Sequence, residues 1–97
     1  MSDSPKILAQ PVDIDSDTGN PWNVILYNDD FHSMDEVVAQ IMIAIGCNFG
    51  RAYAIMIEAH MKGRSIAYSG SKSKCHQVAQ ILRRIRLQVE IDEVNIK

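Results

Sequence analysis

The chain has little that would place it in an oxidising compartment or a membrane. Its two cysteines, Cys47 and Cys75, are too few for a disulfide framework. No apolar run approaches the roughly 18 residues a membrane helix needs. The first residues show no basic segment followed by an apolar core, so no secretory signal is expected. A cytoplasmic setting, or a stroma-like organelle compartment after import, is the expectation. Catalytic signatures are missing too. There is no glycine-rich phosphate loop, no pair of His or Cys ligands at zinc spacing, and no Ser or Cys in a nucleophile motif. Cys47 and the Cys75-His76 pair are too scattered for a metal site. Catalysis would fall to Asp29, Asp30 and His60 with no evident nucleophile. The expectation is therefore a protein that is not an enzyme and uses no metal or cofactor.

Charge is unevenly distributed along the chain. Residues 1–20 carry Asp3, Asp13, Asp15 and Asp17 against a lone Lys6. From Ala59 to Val89 there is no acid, while Lys62, Arg64, Lys72, Lys74, Arg83, Arg84 and Arg86 are basic. An acidic extension and a basic face on the folded body follow from that asymmetry. A solvated helix face explains any single one of these residues; the run as a whole raises the question of an oppositely charged partner.

What is present fits one small domain of 97 residues. Residues 1–20 contain two prolines, scattered Ser and Asp and no sustained period, and read as a flexible N-terminal extension. The core domain spans residues 21–97. "WNVILYN" alternates, with Trp22, Val24 and Leu26 on one face, as a strand does. Ser33 and Glu36 form an S-x-x-E capping box. The helix behind it places Met34, Val37, Val38, Ile41, Met42 and Ile45 on one side and stops at Gly46. A second helix starts near Asn48, aligns Phe49, Ala52, Tyr53, Met56, Ala59 and His60, and ends at Gly63. "RSIAYS" is strand-like and "GSKSK" a turn with Ser caps available. A third helix is expected over residues 74–85, burying Cys75, Val78, Ala79, Leu82 and Ile85. "LQVEI" closes the chain as a half-buried strand. The order β-α-α-β-α-β predicts an α+β fold, a three-stranded antiparallel sheet packed against three helices.

The unusual stretch is "VILYNDDFHSM", residues 24–34. It puts an amide and two carboxylates between a buried strand and a helix start. Two readings of these residues stand side by side. Asn28, Asp29 and Asp30 are common turn and cap residues, and His60 in an apolar stripe is commonly a satisfied core histidine. Alternatively, Met56 and His60, at i and i+4 on one helix face, meet the end of the first strand. They would then form a pocket with an apolar floor and a rim of acceptors from Asn28 and Asp29. Such a rim suits a cation that donates several hydrogen bonds, as a protein's free α-amino group does.

"PWNVILYNDDFHSM", followed downstream by "MIEAHMKGRSIA", resembles the ClpS family, adaptors that deliver N-degron substrates to the ATP-dependent Clp protease. The likeness runs from Pro21 to about Ala67 and resumes less clearly through the last helix and strand. The resemblance implies that Asn28, Asp29 and His60 hydrogen-bond the substrate's α-amino group, with Asp29 as countercharge. It makes Met34 the gatekeeper against β-branched side chains. Val37, Met56, Ala59 and Leu87 match positions lining the pocket for a first Leu, Phe, Tyr or Trp. Asp30 becomes the turn and helix-start acid. The implied partners are N-degron substrates and the N-terminal domain of a Clp unfoldase of ClpA or ClpC type.

The chain departs from the family pattern in three places. His32-Ser33 stands where Thr-Pro is usual, which assigns His32 to the substrate's second residue. Ala59 replaces a branched aliphatic, so the pocket should be roomier. "YSGSKSKCHQ" is shorter than the usual form and lacks the acid that helps dock the unfoldase. Two readings compete with an adaptor: a nucleic-acid-binding basic face and a ribosome-type protein-contact module. The scarcity of aromatics in the basic run and the negative net charge weigh against nucleic acid.

Overall fold

In the computed structural model, which describes residues 19–94, the elements follow the expected order. They are β1 (Trp22–Tyr27), α1 (Met34–Ile45), α2 (Phe49–Lys62), β2 (Arg64–Gly70), α3 (Lys72–Arg83) and β3 (Val89–Glu93). The expected extension lies outside the described residues except for Gly19 and Asn20, as do residues 95–97. Among the described residues no helix is long and apolar enough to cross a membrane.

The sheet order is β2-β1-β3, and β1 pairs antiparallel with both neighbours. Trp22 faces Gly70 and Glu93, and Leu26 faces Ser65 and Val89. A central strand must bury its alternate side chains, and Val24 and Leu26 are the fully buried ones. The β1–β2 register slips between Val24 and Ile25, where Ala67 is the additional residue on β2. The buried hydroxyl of Ser65 is satisfied by donating to the Ile55 carbonyl at 2.8 Å.

The helices supply the rest of the core: Val37, Val38, Ile41 and Ala44 from α1, Ala52, Ile55, Met56 and Ala59 from α2, and Cys75, Val78, Ala79 and Leu82 from α3. Each starts on a side-chain cap. Ser33 Oγ accepts from the Glu36 N–H while the Glu36 carboxylate accepts from the Ser33 N–H, completing the capping box. Asn48 and Ser71 cap α2 and α3. The first two helices end on Gly46 (φ 65°) and Gly63 (φ 94°), left-handed positions that favour glycine.

Several boundaries and faces differ from expectation. Ser71 rather than a later serine caps α3, so the helix begins at Lys72 and ends at Arg83. Ile85 then falls in a turn, half-buried, before Arg86 at φ 68°. The β3 ladder starts at Val89; Leu87 is buried ahead of it. Phe49 and Tyr53 are exposed and stack on each other, with ring centroids 5.8 Å apart. Because α2 packs against α1 and β2, its buried face is turned toward Ile55.

Burial agrees with the helical period on two isoleucines of α1, Ile41 on the core side and Ile43 off it. Ile41→Ala removes a fully buried side chain and is expected to cost about 2–5 kcal/mol. Ile43→Ala, on the solvent side, should stay within about 0.5 kcal/mol. Urea unfolding of the two variants checks the contrast.

Candidate functional site

The pocket is built where β1 ends. The Asn28 N–H donates to the Gly63 carbonyl at 2.9 Å, and the Gly63 N–H donates to the Ala59 carbonyl at 2.8 Å. This pair of bonds sets the last turn of α2 against the start of the β1–α1 loop. The floor is apolar and buried: Leu26 from β1, Val37 from α1, and Met56 and Ala59 from α2. Tyr27, Asn28, Asp29 and His32 line one side, with Met34 and His60 on the others. The empty space, open mouth included, is about 330 Å³.

Most residues singled out in the sequence meet here: Asn28, Asp29, His32, Met34, Val37, Met56, Ala59 and His60. Leu87 does not. It lies on the same inward face as Val89, is 3% exposed, and packs in the core with no surface at the pocket. Met34, which the helical period puts with the core, is 48% exposed at the first turn of α1. His60 is likewise an exposed residue of the rim. Leu26 and Tyr27 line the pocket although the sequence marks them only as strand.

Asp29 takes the turn role expected of Asp30. Its Oδ2 accepts the His32 backbone N–H at 2.8 Å, and its Oδ1 accepts that of Phe31 at 3.4 Å. Asp30 meets only the side-chain amide of Asn28 at 3.3 Å among the described hydrogen bonds. The His32 ring turns onto the same carboxylate, Nδ1 to Oδ2 at 2.5 Å, with the two side chains 20% and 11% exposed. The signal for this contact was the D-x-x-H spacing, which a tight turn brings into register. His32 is thus on the rim where a second-residue contact was expected, but its ring is engaged by Asp29. Phe31, between them in sequence, is 94% exposed.

This contact shifts both groups. Burial opposes the Asp29 charge, but the His32 ring, the two backbone N–H groups and the imidazolium charge prevail and hold its carboxyl below the usual range. The hydrogen bond to Asp29 raises the His32 ring above its ordinary value; burial opposes this, and the Asp29 charge, the Ile85 carbonyl and Glu36 add to it.

Three members of the basic run have partners within the chain. Lys72 lies 5.0 Å from the centroid of the Trp22 ring, Arg83 donates to the Val89 carbonyl at 2.8 Å, and Lys62 pairs with Glu58 at 3.6 Å. Among the described residues no group of three or more His, Cys, Asp or Glu could hold a metal ion.

The paired shifts predict how stability follows pH. The Asp29 contribution is present above the ordinary carboxyl value and lost as pH falls through its lowered value. The His32 contribution is complete below about pH 6.5 and lost as pH rises through its raised value. The difference in urea midpoint between the wild type and His32→Asn should therefore be largest at about pH 5–6 and shrink at higher pH. A difference constant to about pH 9 would contradict the pairing.

Comparison with known proteins gives the family. Residues 17–90 match the family model described as ATP-dependent Clp protease adaptor protein ClpS. An ATP-dependent Clp protease adapter protein ClpS from Wolinella succinogenes is 36% identical over 61 residues, covering 59% of this chain and 60% of that relative. The match thus spans less than two thirds of that relative's length. The ClpS of Rhodococcus opacus is 26% identical over 77 residues, 76% of this chain and 69% of that one. The fold is similar to the structure of Agrobacterium tumefaciens ClpS2 bound to L-phenylalaninamide, with a TM-score of 0.73 and 15% identity over 77% of this chain and 98% of that chain. The family match covers most of the chain, from before β1 into β3, and the chain belongs to the ClpS family of Clp protease adaptor proteins.

Proposed function

We propose that this protein is a non-catalytic adaptor that binds the free N-terminal Leu or aromatic residue of N-degron substrates and delivers them to a Clp unfoldase-protease of ClpA or ClpC type. A cytoplasmic or stroma-like compartment is the matching location. The observation that carries the reading is the pocket itself. It joins an apolar floor of Leu26, Val37, Met56 and Ala59 to a rim holding Asn28, Asp29 and His60. L-phenylalaninamide, the ligand of the Agrobacterium relative, has this division: a free α-amine beside an apolar side chain.

The roles follow from the chemistry at each position. An α-amino group, with a pKa of about 7.7–8.0, is largely protonated at neutral pH. Asp29 supplies its countercharge, while Asn28 and His60 supply hydrogen-bonding groups. Met34 stands half-exposed at the mouth, where a substrate branched at Cβ meets it first. Ala59 leaves more room in the floor than a branched aliphatic would.

Magnitudes are sufficient for a single-residue ligand. Burying one large apolar side chain contributes roughly 1.5–3 kcal/mol. A hydrogen bond to a charged amine contributes about 1.5–3 kcal/mol. After association costs, a micromolar affinity, near −8 kcal/mol, is within reach. Acetylation of the amine removes the charge and leaves acceptors unmatched. Nucleic acid, by contrast, would require the basic run as a free patch, and several of its members have partners within the chain.

Fluorescence anisotropy with peptides differing only in residue one, each with a free or acetylated end, tests the reading. Free-ended Leu, Phe, Tyr or Trp peptides should bind, and their acetylated twins should not. Equal binding of every twin pair sinks it. Asp29→Asn should weaken the free-ended peptides by about 10- to 100-fold, the loss of one charge-assisted bond. Met34→Ala should raise the relative affinity of peptides beginning with Ile or Val, and an unchanged preference order removes Met34 as gatekeeper.

A further inference from the structure

Among the described residues Asp29 is the only carboxylate lining this pocket, and it is already in contact with an imidazole. Its Oδ2 holds both the backbone N–H and the ring Nδ1 of His32. Oδ1 takes only the long 3.4 Å contact from Phe31. The backbone of Ile85, in the turn between α3 and β3, also favours the charged form of the ring. A neutral imidazole can donate from Nδ1 to the Asp29 carboxylate, and the imidazolium adds a positive charge to the same short contact.

The surroundings of the ring come from every neighbouring element. Asp29 faces it from its own loop, Glu36 from the first turn of α1, and the Ile85 carbonyl from the turn after α3. His60 lies on the same pocket from α2. Arg84 and Arg86, flanking Ile85, are exposed, and so is Asp30, which contacts Asn28 instead. The acids nearest the ring favour its charged form, and Asp29 is the one in direct contact.

We infer that His32 is the resident cation of the Asp29 carboxylate and that an incoming α-ammonium group takes its place, so that amine capture releases the His32 proton. The inference rests on the amine-binding reading of the pocket and goes beyond it. The exchange balances simply. Protonated His32 and the protonated amine meet one carboxylate. The complex keeps the ammonium against Asp29, the ring becomes neutral, and one proton passes to solvent. Oδ1 offers the ammonium a place to land, but two cations sharing a single half-buried negative charge repel each other. His32 thereby sets how tightly this chain holds an N-terminus at a given pH. Affinity falls as the medium becomes acidic, even though the amine itself stays charged.

Isothermal titration calorimetry of a free-ended Phe peptide at about pH 6.5, in buffers of different ionisation enthalpy, counts the protons exchanged. At that pH an amine of pKa about 7.7–8.0 is more than nine-tenths protonated, so its own uptake is small. Wild-type protein should release about half a proton or more per peptide, with affinity rising several-fold between about pH 6 and 7 by linkage. His32→Asn should abolish the release, flatten the pH dependence and bind more tightly than wild type at the lower pH. The ring nitrogen shifts of His32, followed by NMR, should move from imidazolium to neutral on saturation.

Binding without proton release, or a ring still charged in the complex, overturns the exchange while leaving amine recognition intact. So does a His32→Asn variant weakened by the same factor at both pH values, which would mark His32 as a support for Asp29. No binding of the free-ended peptide overturns the amine reading and this inference together.

Discussion

The site depends on a single backbone junction at Gly63. One residue separates the end of α2 from the start of β2, and it is the left-handed cap at φ 94°. Its N–H closes the last turn of the helix on Ala59, and its carbonyl receives the N–H of Asn28. A side chain bearing a Cβ would be strained at that φ. The helix therefore turns directly into the edge strand beside β1, and Ala59 and His60 arrive at the end of β1. An additional residue at the junction would displace the polar rim from the apolar floor. Both belong to the pocket because the connection between them is this short.

Around that junction the fold separates support from recognition. Val24 and Leu26 anchor the central strand, and three capped helices close over one face of the sheet. The β1–α1 loop is held by its own side chains: Asp29 on the backbone N–H groups of Phe31 and His32, and Ser33 with Glu36 at the helix start. A carboxylate engaged this way has little orientational freedom left to lose on binding a ligand. Its preorganisation carries a consequence, since the same turn delivers the His32 ring onto the oxygen that an amine would use. The turn role of Asp29 is visible in these bonds, and the proposed ligand role would share the same carboxylate.

Much of the architecture was legible because it is written in local rules. The capping box at Ser33 and Glu36, the stop glycines Gly46 and Gly63, and the alternation through β1 each specify structure within a few residues. The errors arose where local signals were degenerate. Either of two serines could begin α3, and the backbone used Ser71. Phe49 and Tyr53 are as apolar as any core residue, yet the packing of α2 on α1 and β2 turns them to solvent. Leu87 shares the inward face of the last strand, and periodicity cannot tell a core position from a pocket wall.

The sequence by itself determined the element order, the capping box at Ser33, the stop glycines, the polar loop and the family, since each resides in residue types at fixed short spacings. Tertiary structure decided the rest: that Met34 stands at a mouth, that Phe49 and Tyr53 face solvent, and that His60 and Asn28 line one pocket. Those outcomes depend on which face of a helix is covered and on where two chain segments distant in sequence come to rest. Burial and long-range backbone bonds settle both, and no local pattern of residues encodes them.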